Sequence, residues 1–214
     1  MQKVAVVLAG SGVYDGSEIH EAVLSLYALN KHGIEYDCFA PNINQHHVIN
    51  HLNGEEMPET RNVLVESGRI ARGNIKALNE LNSKDYAAVV FPGGFGAAKN
   101  LSNYAFKGSD LEIIDEVEKT IKDFHSNKKP ILALCIAPVL VAKAIGAEVT
   151  IGSDQAGIEN IQKMGGTHLI KKFDEVAVDA KNKVITTPCY MLASNIYETA
   201  QGIENAVIEM KKYL

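Results

Sequence analysis

A chain of 214 residues, 46% hydrophobic and 22% charged, has the size and apolar content of one α/β domain with a sizeable core. Its net charge of −5 argues against a broad nucleic-acid or anionic-membrane surface, which needs clustered Lys and Arg. The three cysteines, Cys38, Cys135 and Cys189, are odd in number, widely spaced and form no CxxC, which disfavours a disulfide framework and a thiolate zinc site. The apolar run Val4-Ala5-Val6-Val7-Leu8 is too short to span a membrane and carries no cleavage pattern. With no Arg/Ser-rich transit segment either, the expectation is a cytoplasmic protein.

Apolar runs of strand length alternate with segments of helical period, which predicts βα units around a parallel sheet, all within one domain over 1–214. The first strand is expected over 3–9. The loop Gly10-Ser11-Gly12-Val13-Tyr14-Asp15-Gly16 follows, but a dinucleotide fingerprint needs glycine where Asp15 stands, and no P-loop is present. A helix over 17–32 carries Ala22, Val23, Leu26 and Leu29 on one face, and Gly33 closes it. Glu18 and Glu21 fall in its first turns on a similar face. Either they complement the helix dipole, or one of them points across the sheet edge as a general acid or base.

A second strand over 34–39 holds Cys38 as a core thiol. Residues 41–62 read as a polar, irregular insertion carrying His46, His47 and His51. Positions 47 and 51 would be one turn apart in a helix, but only part of a ligand set is visible and no metal is assigned. Further elements are a helix over 62–72, a strand over 87–91, the loop Pro92-Gly93-Gly94-Phe95-Gly96 and a helix over 110–126. Glycines in that loop let backbone N–H groups approach a ligand closely. A buried strand over 131–134 leads into Cys135 and a helix over 137–145 capped by Gly146. The remainder predicts a strand over 148–151, a helix over 156–164, a hairpin across Ala180-Lys181-Asn182 and a last helix over 193–212.

The turn Leu134-Cys135-Ile136-Ala137-Pro138 is the most informative feature. A residue between a buried parallel strand and a helix sits in a tight elbow at the carboxyl edge of the sheet, where open α/β sheets bind ligands. The helix N-terminus beyond it favours thiolate over thiol, and Pro138 suits a first helical turn. A buried inert cysteine is the competing reading. The N–H groups of Gly94 and Ile136 can form an oxyanion hole beside it. Cys189, after Pro188, reads as a loop thiol.

The stretches Gly12-Val-Tyr-Asp-Gly-Ser-Glu-Ile-His-Glu21, Val48-Ile-Asn-His-Leu-Asn-Gly54, Glu59-Thr-Arg-Asn62, Pro92-Gly-Gly-Phe-Gly-Ala-Ala-Lys-Asn-Leu-Ser102 and Cys135-Ile-Ala-Pro138 resemble the ElbB-type proteins, a branch of the ThiJ/PfpI, class I glutamine amidotransferase-like superfamily. The resemblance covers essentially the whole chain. It implies a flavodoxin-like α/β sandwich, a homodimer, and a cofactor-free glyoxalase acting on a small dicarbonyl; peptidase and deglycase activities are also attached to the superfamily. Carried over, the elbow cysteine is Cys135, the oxyanion glycine Gly94, and the acidic partner Glu21, twelve residues before Gly33, with Glu18 secondary. Peptidases of the superfamily place His after the nucleophile, where Ile136 stands, and the deglycase branch has His at the position of Gly152. Protease activity is therefore unfavoured. Glutaminases need a downstream His-x-Glu, but His168 is followed by Leu169 and Ile170. A redox-sensing or partner-binding role for the elbow thiol is the alternative to catalysis.

Overall fold

The computed structural model describes residues 3–214. Its first strand, β1 (Lys3–Val7), is buried on both sides, so its side chains alternate between two cores rather than between core and water. Val4 and Val6 enter one apolar cluster while Ala5 and Val7 enter the other. The remaining elements are α1 (Ile19–Lys31), β2 (Glu35–Ala40), α2 (Val63–Ile70), β3 (Ile75–Ala77), β4 (Ala88–Phe91), α3 (Phe95–Lys99), α4 (Tyr104–Lys107) and α5 (Asp115–Ser126). After these come β5 (Ile131–Leu134), α6 (Pro138–Ile145), β6 (Glu148–Val149), α7 (Gln155–Lys163), β7 (Thr167–His168), β8 (Ala177–Asp179), β9 (Val184–Thr187) and α8 (Ile196–Lys211).

Seven strands form one sheet in the order β3-β2-β1-β4-β5-β9-β8, parallel except for β8, which runs antiparallel to β9 through the expected hairpin. Leu29 of α1, Val63 of α2 and Ile203, Val207 and Met210 of α8 cover one face. Val117, Ile121 and Phe124 of α5 cover the other, with Val139 and Val141 of α6. This is the mostly parallel α/β sandwich that the sequence predicts. From β1 the chain moves outward through β2 and β3, then crosses back to β4 on the opposite side. The reversal opens a crevice at the carboxyl ends of β1 and β4, the position where ligands enter such sheets.

Several boundaries differ from expectation. The helix expected over 110–126 starts only at Asp115. Leu111 and Ile113 alternate into the core in extended chain, Ile113 bridges Ser102, and the Ile114 N–H bonds the Leu101 carbonyl. The last helix begins at Ile196, because the Asn195 side chain accepts from the Glu198 N–H at 3.0 Å and caps it. The strand expected over 148–151 shortens to two residues and pairs with β7 in a separate two-stranded sheet. Not anticipated were β3, β7, α3 and α4, all five residues or shorter and too brief to display a period.

Residues 41–62 hold only isolated bridges, Asn44 with Asn62 and Ile49 with Glu56, and no helix. The excursion is fastened to the loop after β1. Asp15 Oδ2 accepts from the Ile49 N–H at 2.8 Å, and His51 Nε2 accepts from the Tyr14 N–H at 3.2 Å. Asn100 ties the same loop down, donating to the carbonyls of Ala9 and Asp15 at 2.9 Å each. Among the described residues, no helix is long and apolar enough to cross a membrane.

Candidate active site

Cys135 follows the last residue of β5 with φ +59°, a left-handed conformation that costs a non-glycine residue about 1–3 kcal/mol. The surrounding ladder holds it there: the Cys135 N–H bonds the Thr187 carbonyl at 3.0 Å and the Ala137 N–H bonds the Leu134 carbonyl at 2.9 Å. Pro138 starts α6. The result is a thiol raised at the carboxyl edge of the sheet, 7% exposed and reached through a cavity of about 230 Å³.

Glu21, on the first turn of α1, is the carboxyl group hydrogen-bonded to that thiol, and it is fully buried. Its Oε2 accepts from the Gly93 N–H at 3.1 Å and its Oε1 from the Tyr190 N–H at 3.2 Å. Burial, reinforced by the charge of Glu18, pushes its pKa up to about 8 despite these bonds. The acid is therefore neutral at pH 7. The Cys135 thiol is pushed well up as well, by burial first and by Glu21 second, while the Gly94 and Ile136 N–H groups, bonded to the sulfur, pull the other way. The expectation that the helix N-terminus makes the resting group a thiolate is thereby corrected. Desolvation outweighs the dipole, and the resting pair is thiol and carboxylic acid.

Two glycines bring these groups together. A side chain at Gly93 would collide with Glu21 Oε2 and with the Cys135 Cβ. Gly94 has φ +98°, and a Cβ there would strike the backbone of Gly16 and Glu18. Its N–H, like that of Ile136, bonds the Cys135 sulfur.

Glu18 has a different place. Its Oε2 accepts from the Glu21 N–H at 2.7 Å, capping α1, and its own N–H bonds the Gly93 carbonyl at 2.9 Å. It lines the cavity wall, whereas Glu21 lies beneath, against the sulfur. Sequence reasoning missed His20 and Tyr190. His20 Nδ1 is 2.8 Å from the Tyr190 hydroxyl and 4.0 Å from Glu18 Oε1. The contact spans 170 positions, and no local pattern announces it.

The other singled-out residues lie elsewhere or play no open part. Cys189 is in a 3-10 turn (Cys189–Met191) rather than an open loop, with φ +47° and no exposure, its sulfur bonded to the Cys135 N–H. Burial pushes the Cys38 thiol up to about 12 inside β2. His168 is engaged by the Ile151 N–H at 3.1 Å. His46 packs on Phe106 and edge-on against His47, which also contacts Lys99 Nζ at 3.0 Å, while His51 packs on Tyr14. Among the described residues, no group of three or more His, Cys, Asp or Glu is arranged to hold a metal ion. A larger cleft of about 840 Å³, lined in part by Lys99, Asp110, Glu118 and Lys143, does not include Cys135.

The DJ-1/PfpI family model matches residues 2–189. The mitochondrial ES1 protein homolog of Rattus norvegicus is 49% identical over 212 residues, covering 94% of this chain and 80% of the relative. A human protein named glutamine amidotransferase-like class 1 domain-containing protein 3, mitochondrial, is 48% identical, covering 94% and 79%. Among solved structures, an isoprenoid biosynthesis protein with an amidotransferase-like domain from Ehrlichia chaffeensis superposes with a TM-score of 0.94 at 38% identity, covering 100% of this chain and 99% of that one. DJ-1beta of Drosophila melanogaster, 19% identical with a TM-score of 0.55 over 99% and 97% of the chains, shares the fold. The expectation of a cytoplasmic protein is overturned by these relatives, since those from rat, human and Danio rerio are all named as mitochondrial. That expectation rested on a missing transit pattern, which is weak ground for assigning a compartment. The match over most of its length shows that the chain belongs to the DJ-1/PfpI family.

Proposed function

We propose that the protein is a cofactor-independent glyoxalase-type enzyme that converts a small dicarbonyl to a hydroxy acid through a Cys135 hemithioacetal. The superfamily contains enzymes, and family membership is compatible with glyoxalase or deglycase-like chemistry. The observation that carries the finer reading is a neutral, fully buried Glu21 hydrogen-bonded to the elbow thiol beneath a small cavity.

The reactive form is the pair after loss of one proton. Glu21, the more acidic partner, gives that proton up, and the Cys135 thiol then passes its own to the Glu21 carboxylate, leaving a small population with thiolate on Cys135 and the remaining proton on Glu21. Sulfur adds to one aldehyde carbon of glyoxal, the oxyanion develops against the Gly94 and Ile136 N–H groups, and Glu21 gives it the proton. The Glu21 carboxylate then removes hydrogen from the sulfur-bearing carbon, forming an enediolate, and returns it to the neighbouring carbon while the hydroxyl proton passes to the adjacent oxygen. The product is a Cys135 thioester of glycolic acid. Water hydrolyses it, releasing glycolate and a proton and restoring the pair. This role needs no histidine beside the thiol, which suits a chain with Ile136 and Gly152 at the two family positions. Because the reactive form has lost a proton, kcat/KM should rise through the neutral range and level off near the Glu21 value of about 8. A profile that falls across this range would count against the Glu21 role.

The alternative is redox sensing through Cys135, favoured by the absence of a histidine base. Peroxide titration followed by mass spectrometry separates the two. Selective sulfinate at Cys135, in a protein with no dicarbonyl turnover, would replace the enzymatic reading.

A further inference from the structure

The chemistry above uses two carbons of a substrate and leaves most of the cavity over Cys135 unaccounted for. Val13, Phe95, Ala98, Tyr104, Ile136 and Met191 form its walls, with Ala105 at one side. Its lining includes no Lys, Arg or His, and its single charged member is the carboxylate-bearing Glu18. At about 230 Å³ it is smaller than the ~300–1,000 Å³ of sites for drug-sized ligands, so it suits a fragment no larger than a ring or a short branched chain.

The rim adds an independent observation. Phe95 is 46% exposed and Met191 36% exposed, yet both line the cavity instead of filling the core. Large apolar side chains left in water beside a concave apolar wall are a feature of ligand sites. Lys99, whose Nζ lies 4.8 Å from the centre of the Phe95 ring, is committed elsewhere. It donates to the Tyr14 carbonyl at 2.9 Å and contacts His47 Nε2 at 3.0 Å, and it does not line this cavity.

We infer that the preferred substrate is an uncharged 2-oxoaldehyde, R–CO–CHO, whose R is a ring-sized or branched apolar group seated between Phe95, Tyr104 and Met191. Glyoxal itself would then be a minimal substrate. Dicarbonyls bearing carboxylate or phosphate are disfavoured, because no cation meets them and Glu18 repels them. The same absence leaves a diphosphate without a partner in this cavity. The inference rests on the glyoxalase reading for its reaction: sulfur adds to the aldehyde carbon, its hydrogen moves to the ketone carbon, and water releases R–CH(OH)–COO⁻ and a proton.

The test separates recognition from turnover. Rates of Cys135 alkylation by N-phenylchloroacetamide, chloroacetamide and chloroacetate are measured on the intact protein, each divided by the rate with glutathione to remove intrinsic electrophilicity. The phenyl reagent should exceed chloroacetamide by at least about tenfold, and chloroacetate should fall at least about tenfold below it. Ala105→Trp, at an exposed position on the cavity wall, should erase most of the phenyl advantage by filling its space. Alongside, kcat/KM for phenylglyoxal should exceed that for glyoxal, and the ratio should fall in Ala105→Trp. An equal or reversed alkylation order would overturn the inference whatever the turnover. The expected alkylation order with no turnover of any oxoaldehyde would uphold the cavity's preference for neutral apolar groups and remove the glyoxalase reading alone.

Discussion

Two neighbouring strands are each followed by a cysteine, and the two thiols share a strained backbone and a raised pKa but differ in access and in partners. Cys135 directly follows β5 and Cys189 follows β9 after Pro188; both have positive φ, and burial holds both thiols well above their usual range. Cys135 opens onto a cavity, receives N–H bonds from Gly94 and Ile136, and bonds to the Glu21 carboxyl. Cys189 has no exposed surface and lies under the Cys135 backbone. A strained backbone and a perturbed thiol therefore do not by themselves mark a nucleophile. On the proposed reading, access, donors for developing charge and a partner that carries a proton set Cys135 apart.

Substitution should widen that contrast. Cys135→Ala is expected to reduce dicarbonyl turnover to background, a loss of at least about a thousandfold. Cys189→Ala should keep turnover within a few-fold and lower stability by about 1–2 kcal/mol through a small cavity. Comparable losses in both variants, measured with steady-state kinetics on folded protein, would erase the distinction.

Glu21→Gln should cost about 10²- to 10⁴-fold in kcat, because the amide cannot carry the proton between carbons. It also has a stability signature. Glu21 titrates near its ordinary value when unfolded and at about 8 when folded, so the native state binds more protons between these values. The stability it contributes is complete below about pH 4.5 and is lost as pH rises through 8. Denaturant titrations should accordingly show Glu21→Gln gaining on wild type across this window, by on the order of a few kcal/mol. A pH-independent difference between the two proteins would contradict a buried acid there.

Gly93→Ala tests the close approach itself. Its methyl would occupy the space of Glu21 Oε2 and Cys135 Cβ, so a destabilisation of about 1–3 kcal/mol and loss of turnover are expected together. Asn195→Ala, at the cap of α8, sets the lower end of the series: about 1 kcal/mol in thermal unfolding with kinetics unchanged.

The elements that position the site were legible in the sequence because they are long or strongly patterned. The buried runs that became β1, β4 and β5 and the periodic faces of α1 and α8 predicted the parallel sandwich. The elbow was readable because a strand, a cysteine and a Pro-initiated helix are adjacent in the chain. Glu21 was readable only through family resemblance. From spacing alone, Glu18 and Glu21 share a helix face, and only the fold separates the capping carboxylate from the one against sulfur. The thiolate expectation failed because a helix terminus is visible in sequence and desolvation is not. His20 and Tyr190 meet across 170 positions through tertiary packing, which no window along the chain can register. The spacing of His47 and His51 suggested a ligand pair only if helical, and residues 41–62 form none.

The most direct test of the central claim is glycolate formation from glyoxal by purified wild type and Cys135→Ser, with no glutathione, metal or cofactor added. The account predicts catalytic turnover in wild type and none above background in the serine variant. Equal product in both proteins, or none in either, would contradict a thiol enzyme built on Cys135 and Glu21.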